Sequence, residues 1–320
     1  MSTFSNDSDS QPQFYSHKHV FTILVLAVTT LVGVPGNALV LWVSGVKMDW
    51  TVTTIWFGNL ALADITCCLC LPFSVAQIFY SDWLYGSALC RILPFIVTIN
   101  MYASVFTLVT ISIDRWILVS RPVWAKKHRK IHTAWMICLA IWISSFLMCL
   151  PVVIYQRTVT SSNKTFCYSE DPTTVPVTLA HATFGFLIPL IIISACYIHL
   201  AFKAQRIRFV EVGKKATRVA ISIIIVFFLT WVPFHIVSVL LLYKKSEALD
   251  ILDLFSKSLA QFNSCINPIR YVFMGKDMKQ RVKQSVYELV EHLFREDLLS
   301  ASDSSRTQNE EGSPVEVLSE

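Results

Sequence analysis

Seven long apolar stretches constrain the fold of this 320-residue chain more than any other feature. They run approximately over residues 21–43, 53–79, 89–119, 133–155, 177–203, 217–242 and 252–273. A helix of about 20 apolar residues crosses the hydrocarbon core of a bilayer, and each stretch reaches that length. With 54% hydrophobic and only 15% charged residues, most of the chain must meet lipid rather than water. The sequence therefore predicts an all-α membrane protein, built as a seven-transmembrane helix bundle.

Basic residues predict how the bundle is oriented. Lys and Arg accumulate in the connections after the first, third, fifth and seventh stretches, as at Lys126, Lys127, Arg129 and Lys130. Because such loops stay in the cytoplasm, we expect a multi-pass plasma-membrane protein with its N-terminus outside. The net charge of +5 reflects this inner face, so no nucleic-acid partner is needed to explain it.

The same patterns divide the chain into four parts. We expect an extracellular tail at 1–20, the bundle at 21–275, a membrane-surface helix at 276–295 and a disordered cytoplasmic tail at 296–320. The surface helix is expected because apolar residues recur at near-helical spacing between basic ones. Those apolar residues are Met278, Val282, Val286, Leu289 and Leu293.

Sequons and cysteines agree with this topology. Asn6 and Asn163 each begin an N-x-S/T glycosylation signal in a segment predicted to be extracellular. Most of the nine cysteines lie in apolar spans, where buried thiols are common. Cys90 and Cys167 instead lie at the head of the third span and in the loop after the fourth, on the oxidising side. We expect a disulfide between them that ties this loop over the mouth of the bundle.

Every span also carries a distinctive polar, proline or tryptophan residue. In chain order these are Asn37 in GVPGNALVLW, Asp64 in NLALADITCC, Asp114 and Arg115 in SIDRW, Trp142 and Pro151 in AIWISSFLMCLP, Pro189 and Tyr197 in FGFLIPLIIISACY, Trp231 and Pro233 in FFLTWVPFH, and Asn267, Pro268 and Tyr271 in NSCINPIRY. Ionisable residues within spans are expensive and point to function. In these segments, and over nearly its whole length, the sequence resembles the rhodopsin-like G-protein-coupled receptors.

The resemblance implies an activation switch at the inner end of the third span. Asp114 would restrain Arg115 until an agonist shifts the bundle, and the freed arginine would then meet the G protein. The other switch positions of the family match Val105, Pro189, Tyr197, Phe227, Trp231, Asn267, Pro268 and Tyr271. Trp116 departs from the usual tyrosine, and Gly213 stands where rhodopsin has a glutamate that locks the arginine. Any second restraint on Arg115 is therefore weaker or comes from elsewhere.

The resemblance also implies an allosteric sodium ion and no other cofactor. Asp64, Asn100 and Ser104 match positions that bind sodium in this family, near Asn37, Asn263 and Asn267. Carboxylate, amide and hydroxyl oxygens suit a hard cation. A neutral Asp64 within a polar hydrogen-bonded cluster is the alternative.

Several stretches are similar to the chemoattractant receptors, which include receptors for anaphylatoxins, formyl peptides and prostaglandin D. The stretches are GVKMDWTVTTIWF, LCLPFSVA, NMYASVF, RPVWAKKHRK, QFNSCINP and FMGKDMKQRV. The group implies a peptide agonist, an inhibitory G protein, and a role in chemotaxis and inflammation. It also implies receptor kinases and arrestin acting on the tail, where the candidate phosphorylation sites are Ser300, Ser302, Ser304, Ser305 and Thr307.

The ligand pocket is expected to include Thr98, Met101, Tyr102, Arg157, His181, Asp253 and Lys257. Asp253 matches the acid that faces a basic peptide terminus in anaphylatoxin receptors. The arginines that hold the peptide carboxylate there are replaced by Gln156 and His181, and Arg157 is adjacent to the first. Lys257 follows Asp253 at i+4, so it either binds an anionic ligand group or pairs with Asp253.

Other functions remain as alternatives. A lipid-mediator receptor of the prostaglandin D type and a nonsignalling decoy receptor fit the same fold. A transporter or channel is a less favoured class, because neither repeated halves with broken helices nor a charged pore lining is evident. An enzyme is not expected, because the sequence contains no HExxH, GxSxG or P-loop motif.

Overall fold

The computed structural model describes residues 17–80, 82–161, 164–169, 174–206, 211–271 and Gln284. Asn6, Asn163, the predicted surface helix and the phosphorylation sites lie outside these residues, apart from Gln284. Nine α-helices are present in the described part. They are α1 His17–Trp42, α2 Val52–Tyr80, α3 Gly86–Ser120, α4 Pro122–His128, α5 Ile131–Tyr155, α6 Thr174–Ala182, α7 Ile188–Arg206, α8 Glu211–Tyr243 and α9 Glu247–Tyr271.

Seven spans arise from these helices, as the sequence predicted. A wide π-helical turn at Val43–Lys47 extends α1, and another at Thr183–Leu187 joins α6 to α7 in one span. Six spans within the described residues are long and apolar enough to cross a membrane. The seventh, α9, is less apolar because it carries Glu247, Asp250, Asp253 and Lys257.

Helix α3 lies at the centre of the bundle and packs against α2, α5, α7 and α8. Its side chains Met101, Tyr102, Val105 and Leu108 form a buried core with Phe227 of α8. The outer faces of the other helices expose large apolar residues, as at Leu31, Ile191 and Leu229, which are 74%, 67% and 64% exposed. An apolar exterior around a buried core fits a lipid-facing bundle.

Glycines allow α1 to approach its neighbours closely. A Cβ atom on Gly33 would lie 2.5 Å from Cys68 Sγ of α2, and one on Gly36 would lie 2.8 Å from Pro268 Cβ of α9. Real Cβ atoms do not come that near, so any larger residue must displace either the neighbouring side chain or the helix that carries it.

Gly33→Val is therefore expected to lower the thermal midpoint of the detergent-solubilised protein and its amount at the cell surface. Forcing extra methyl groups into a packed core costs about 1–3 kcal/mol. Gly45→Val is the matched control, because a Cβ there would meet only Trp50, at 4.0 Å. Equal midpoints for the two variants would contradict the close contact of α1 with α2.

A β-hairpin that the sequence analysis did not predict follows α5. Strand β1, Gln156–Ser161, pairs antiparallel with β2, Lys164–Ser169, so that Thr158 faces Cys167. The hairpin is attached to the segment before α3, because the Trp83 N–H donates to the Thr165 carbonyl at 2.9 Å. The Asp82 carboxylate in turn accepts from the Thr165 N–H at 2.7 Å. The fold is thus helical with one small two-stranded sheet at one end of the bundle, here called the hairpin end.

Candidate functional site

The predicted disulfide is present at the hairpin end. Cys90 of α3 and Cys167 of β2 are bonded, with their Cα atoms 5.6 Å apart. Cys90 is fully buried, beside Trp83 and Leu93. The bond fixes the hairpin to the central helix, so the hairpin stays beside the opening between the helices.

Two cavities lie between the helices on this side. The wider one, of about 880 Å³, is lined by Tyr155, His181, Phe234, Asp253 and Lys257 among others. A second, of about 370 Å³, is lined by Thr98, Met101, His181, Trp231, Phe234 and Lys257 among others. Because His181, Phe234 and Lys257 line both, the two cavities adjoin along these side chains.

Five of the predicted ligand-binding residues line these cavities, namely Thr98, Met101, His181, Asp253 and Lys257. The other two are placed differently. Tyr102 is fully buried and packs its ring edge-on against His181, with centroids 5.6 Å apart. Arg157 lies in β1 opposite Tyr168 and is not among the residues that line either cavity.

Asp253 and Lys257 form an ion pair on α9. Lys257 Nζ donates to Asp253 Oδ2 at 2.6 Å, across one helical turn. The lysine side chain is 54% exposed and the aspartate 20%, so solvent screens the pair. The sequence left open whether Lys257 pairs with Asp253 or binds a ligand, and the structure shows the pair. A charged ligand must therefore break this ion pair in order to bind either side chain.

An aromatic cluster forms the floor of the smaller cavity. Trp231 stacks on Phe227, with centroids 5.8 Å apart, and meets Phe234 edge-on at 5.6 Å. His235 is buried beside Trp231 and Phe234 and was not predicted as a site residue. Its signal was available in FFLTWVPFH, where residues at i, i+3 and i+4 must share a helix face. The cluster includes Trp231 and Phe227, both expected to be switch residues, and Trp231 also lines the cavity.

Asp64 lies fully buried at the centre of a polar cluster. Its Oδ1 accepts from Asn100 Nδ2 at 3.3 Å, and its Oδ2 accepts from Asn267 Nδ2 at 2.8 Å. Asn37 Nδ2 donates to the Ser264 carbonyl at 2.9 Å, linking α1 to α9. These bonds join four helices through polar groups in the middle of the bundle.

Several buried oxygens in this cluster lack a hydrogen-bond partner among the described residues. They are Asn37 Oδ1, Ser104 Oγ, Asn263 Oδ1 and Asn267 Oδ1. An acceptor without a donor is destabilising in an apolar interior, and a hard cation or a water would satisfy it. The donor set therefore fits a sodium ion held by Asp64 and Ser104. Water molecules bound to the same oxygens would suit the neutral, hydrogen-bonded alternative.

The far end of the bundle holds the predicted Asp114–Arg115 pair, but at long range. Arg115 NH2 lies 4.0 Å from Asp114 Oδ2 and donates to Thr53 Oγ1 at 3.1 Å instead. The closest partner of Asp114 is Arg129, whose Nε and NH2 donate to the two carboxylate oxygens at 2.7 and 3.1 Å. The sequence analysis counted Arg129 only as a basic loop residue. Arg129 reaches Asp114 because α4 brings the start of α5 close to α3, and the sequence pattern does not indicate this arrangement.

Further contacts join α3 to α7 at this end. Trp116 Nε1 donates to His199 Nδ1 at 2.9 Å, and Lys203 Nζ donates to the Ser120 carbonyl at 2.9 Å. The substitution of tryptophan for the usual tyrosine thus places an indole donor between two helices. Of the remaining predicted switch residues, Val105 and Pro189 are buried, and Tyr271 is the last residue of α9.

Comparisons with known proteins agree with this arrangement. The model of the "7 transmembrane receptor (rhodopsin family)" matches residues 36–271. The C3a anaphylatoxin chemotactic receptor of Oncorhynchus mykiss is 40% identical, over 95% of this chain and 88% of that protein. Chemerin-like receptor 1 of Rattus norvegicus is 36% identical, over 87% of this chain and 81% of that protein.

The human C3a anaphylatoxin chemotactic receptor is 28% identical, over 92% of this chain and 94% of that protein. This alignment runs over 456 positions, although the chain has 320 residues, so the human protein contains segments that are absent here. The fish relative aligns over 322 positions and does not require such segments. The chain therefore belongs to the rhodopsin family of seven-transmembrane G-protein-coupled receptors, in its chemoattractant group.

Proposed function

We propose that this receptor binds a chemoattractant peptide of the anaphylatoxin type and signals through an inhibitory G protein. In this proposal the N-terminus and the hairpin are extracellular, and the Asp114 end of the bundle is cytoplasmic. The observation that carries the proposal is the open cavity of about 880 Å³ with Asp253 and Lys257 in its wall. The similarity to C3a receptors along nearly the whole chain supports the same ligand class.

The ion pair suits one kind of peptide end. A C-terminal arginine carries a guanidinium and a carboxylate close together, and this is the charge pattern that Asp253 and Lys257 complement. Binding would exchange one exposed pair for two pairs that the ligand covers from water. A charge-assisted hydrogen bond is stronger when it is shielded from solvent, so the exchange favours binding.

The proposal is tested by inhibition of cyclic AMP formation in cells that express the chain, with and without pertussis toxin. Anaphylatoxin peptides, formyl peptides and prostaglandin D are the ligands. We expect a toxin-sensitive response to the anaphylatoxin peptides. A response that pertussis toxin leaves intact would reject the inhibitory G protein, and a response only to another ligand class would reject the peptide assignment.

Asp253→Asn is expected to lower the potency of a peptide that ends in arginine. Losing one hydrogen bond to a charged group costs about 1.5–3 kcal/mol, which corresponds to roughly a 10- to 150-fold rise in the half-effective concentration. Replacing the guanidinium of the peptide's terminal arginine by a neutral group, with the carboxylate kept, should have the same effect on the wild type and little further effect on the variant. Surface expression, measured with an N-terminal epitope tag, should not change.

Asp250→Asn is the matched control, because Asp250 is an exposed acid on the same helix outside both cavities. Unchanged potency in Asp253→Asn at equal surface expression would remove the ionic anchor from the proposal. A loss of equal size in both variants would point to the general charge of α9 instead.

Two other functions are supported by particular observations. A lipid mediator with a carboxylate would suit Lys257 above a cavity lined by Met101, Trp231 and Phe234, and prostaglandin D tests this candidate. A nonsignalling decoy is suggested by Trp116 and Gly213, which depart from the family pattern near Arg115. Peptide binding without any fall in cyclic AMP would favour the decoy.

A further inference from the structure

Arg115 shares its partners with a second arginine. Thr53 Oγ1 accepts from Arg115 NH2 at 3.1 Å and from Arg129 NH2 at 2.8 Å. Asp114 is 2.7 Å from Arg129 Nε but 4.0 Å from Arg115 NH2. The cluster therefore contains two guanidinium groups, one carboxylate and one hydroxyl, with one uncompensated positive charge.

Geometry decides which arginine holds the carboxylate. Arg129 uses two nitrogens on the two oxygens of Asp114, and this bidentate arrangement is the strongest that a carboxylate forms with arginine. At 4.0 Å, Arg115 is attracted to Asp114 but makes no hydrogen bond with it. Its direct bond goes to a neutral hydroxyl, which is a weaker acceptor than a carboxylate.

Arg115 is also the more buried of the two arginines, so its lack of a strong partner is more destabilising. Its side chain is 10% exposed, whereas that of Arg129 is 23% exposed. The more buried cation thus has the weaker partner, and Arg129 adds a like charge beside it. In addition, the sequence position at which rhodopsin has its second acid is Gly213 here, and glycine has no side chain.

We propose that Arg129 is a positioning residue that weakens the restraint on Arg115 by holding Asp114, so that Thr53 supplies the principal remaining restraint. Arg129 thereby sets how easily the receptor leaves its resting conformation. The effect on signalling rests on the proposed coupling to a G protein, whereas the effect on conformation does not. Removing Arg129 should allow Asp114 to pair with Arg115 and should lower the activity of the receptor in the absence of agonist.

The test measures conformation in the purified, unliganded protein in nanodiscs. Spin labels on noncanonical amino acids at Lys127 and Lys214 report the distance between α4 and α8, and the open state is defined as the population with the longer distance. Arg129→Gln should lower the open fraction about twofold to fivefold, as expected for a partly exposed ion pair. Thr53→Val should raise it, and Arg129→Gln added to Thr53→Val should lower it again.

Controls separate this effect from a loss of structure. Arg129→Lys keeps the charge without the bidentate geometry and should fall between the wild type and Arg129→Gln. Lys130→Gln removes a neighbouring exposed cation that forms no salt bridge with Asp114 in the described part of the chain, and it should leave the open fraction unchanged. In an Asp114→Asn background, Arg129→Gln should have a smaller effect than in the wild type, because the carboxylate for which the arginines compete is gone and only their shared partner Thr53 remains.

Either a rise or no change in the open fraction of Arg129→Gln would overturn the proposal. A rise would show that Arg129 stabilises the resting state. On the same samples, we measure how far the receptor without agonist stimulates GTP binding by an inhibitory G protein. If the open fraction changes as expected while no variant activates the G protein, the proposed coupling fails and the role of Arg129 stands. If neither quantity changes, the positioning role is rejected.

Discussion

Cys90→Ser and Cys167→Ser should each abolish most high-affinity ligand binding and sharply reduce the amount of receptor at the cell surface. The bond closes a segment of 77 residues that contains α5 and β1. In the chain-entropy description, a closure of this length is worth about 4 kcal/mol. Without it, the hairpin is no longer fixed beside the opening through which a ligand would reach the cavity.

The double variant should be no worse than either single variant, because the two thiols act through one bond. Surface staining and saturation binding measure the two effects separately. Cys196→Ser is the control, since Cys196 is a half-buried free thiol on α7. Single variants that bind ligand as the wild type does would contradict the view that the disulfide holds the hairpin in a position that binding requires.

Asp64→Asn should remove the dependence of thermal stability on sodium. Replacing choline chloride by sodium chloride at about 0.15 M should raise the unfolding midpoint of the wild type, because a ligand that binds only the folded state stabilises it. A tenfold excess over the dissociation constant is worth about 1.4 kcal/mol. Asparagine keeps the shape of Asp64 but not its charge, so the variant should show no difference between the two salts.

Ser104→Ala removes one of the unpartnered oxygens and should weaken the sodium effect without abolishing it. Asp49→Asn, at an exposed acid, is the control for general charge effects and should leave it intact. A sodium response of equal size in Asp64→Asn and the wild type would instead favour the neutral, hydrogen-bonded cluster. Asp64 would then be a structural residue that Asn100 and Asn267 stabilise.

The sequence predicted the helices well because the bilayer imposes a simple length requirement. Each apolar stretch became a span, with most bounds displaced by a few residues, and α3 extends over Gly86–Ser120 where 89–119 was expected. The Cys90–Cys167 bond followed from the predicted side of the membrane. The Asp253–Lys257 pair followed from helical spacing, although the sequence did not decide between pairing and ligand binding.

Other features depend on contacts between distant segments, and the sequence did not predict them. The hairpin contains the consecutive β-branched residues Thr158, Val159 and Thr160, but it is attached to the bundle by Asp82, Trp83 and Cys90, which lie far away in the chain. The bond from Arg129 to Asp114 requires α4 to turn the chain back towards α3. Periodicity gives no information on such a turn, so the competition for Asp114 became visible only in three dimensions.

The polar character of α9 has a consequence for how the protein is made. Chains are synthesised from the N-terminus, so α9 is the last span to reach the membrane. Acidic and basic residues oppose its insertion as an isolated helix, and Asn267 and Ser264 bond to Asp64 and Asn37 of α2 and α1. The six earlier spans therefore act as a template that recruits the seventh. Assembly of the newborn receptor should stall at this step when the surface of α1 or α2 that receives α9 is altered.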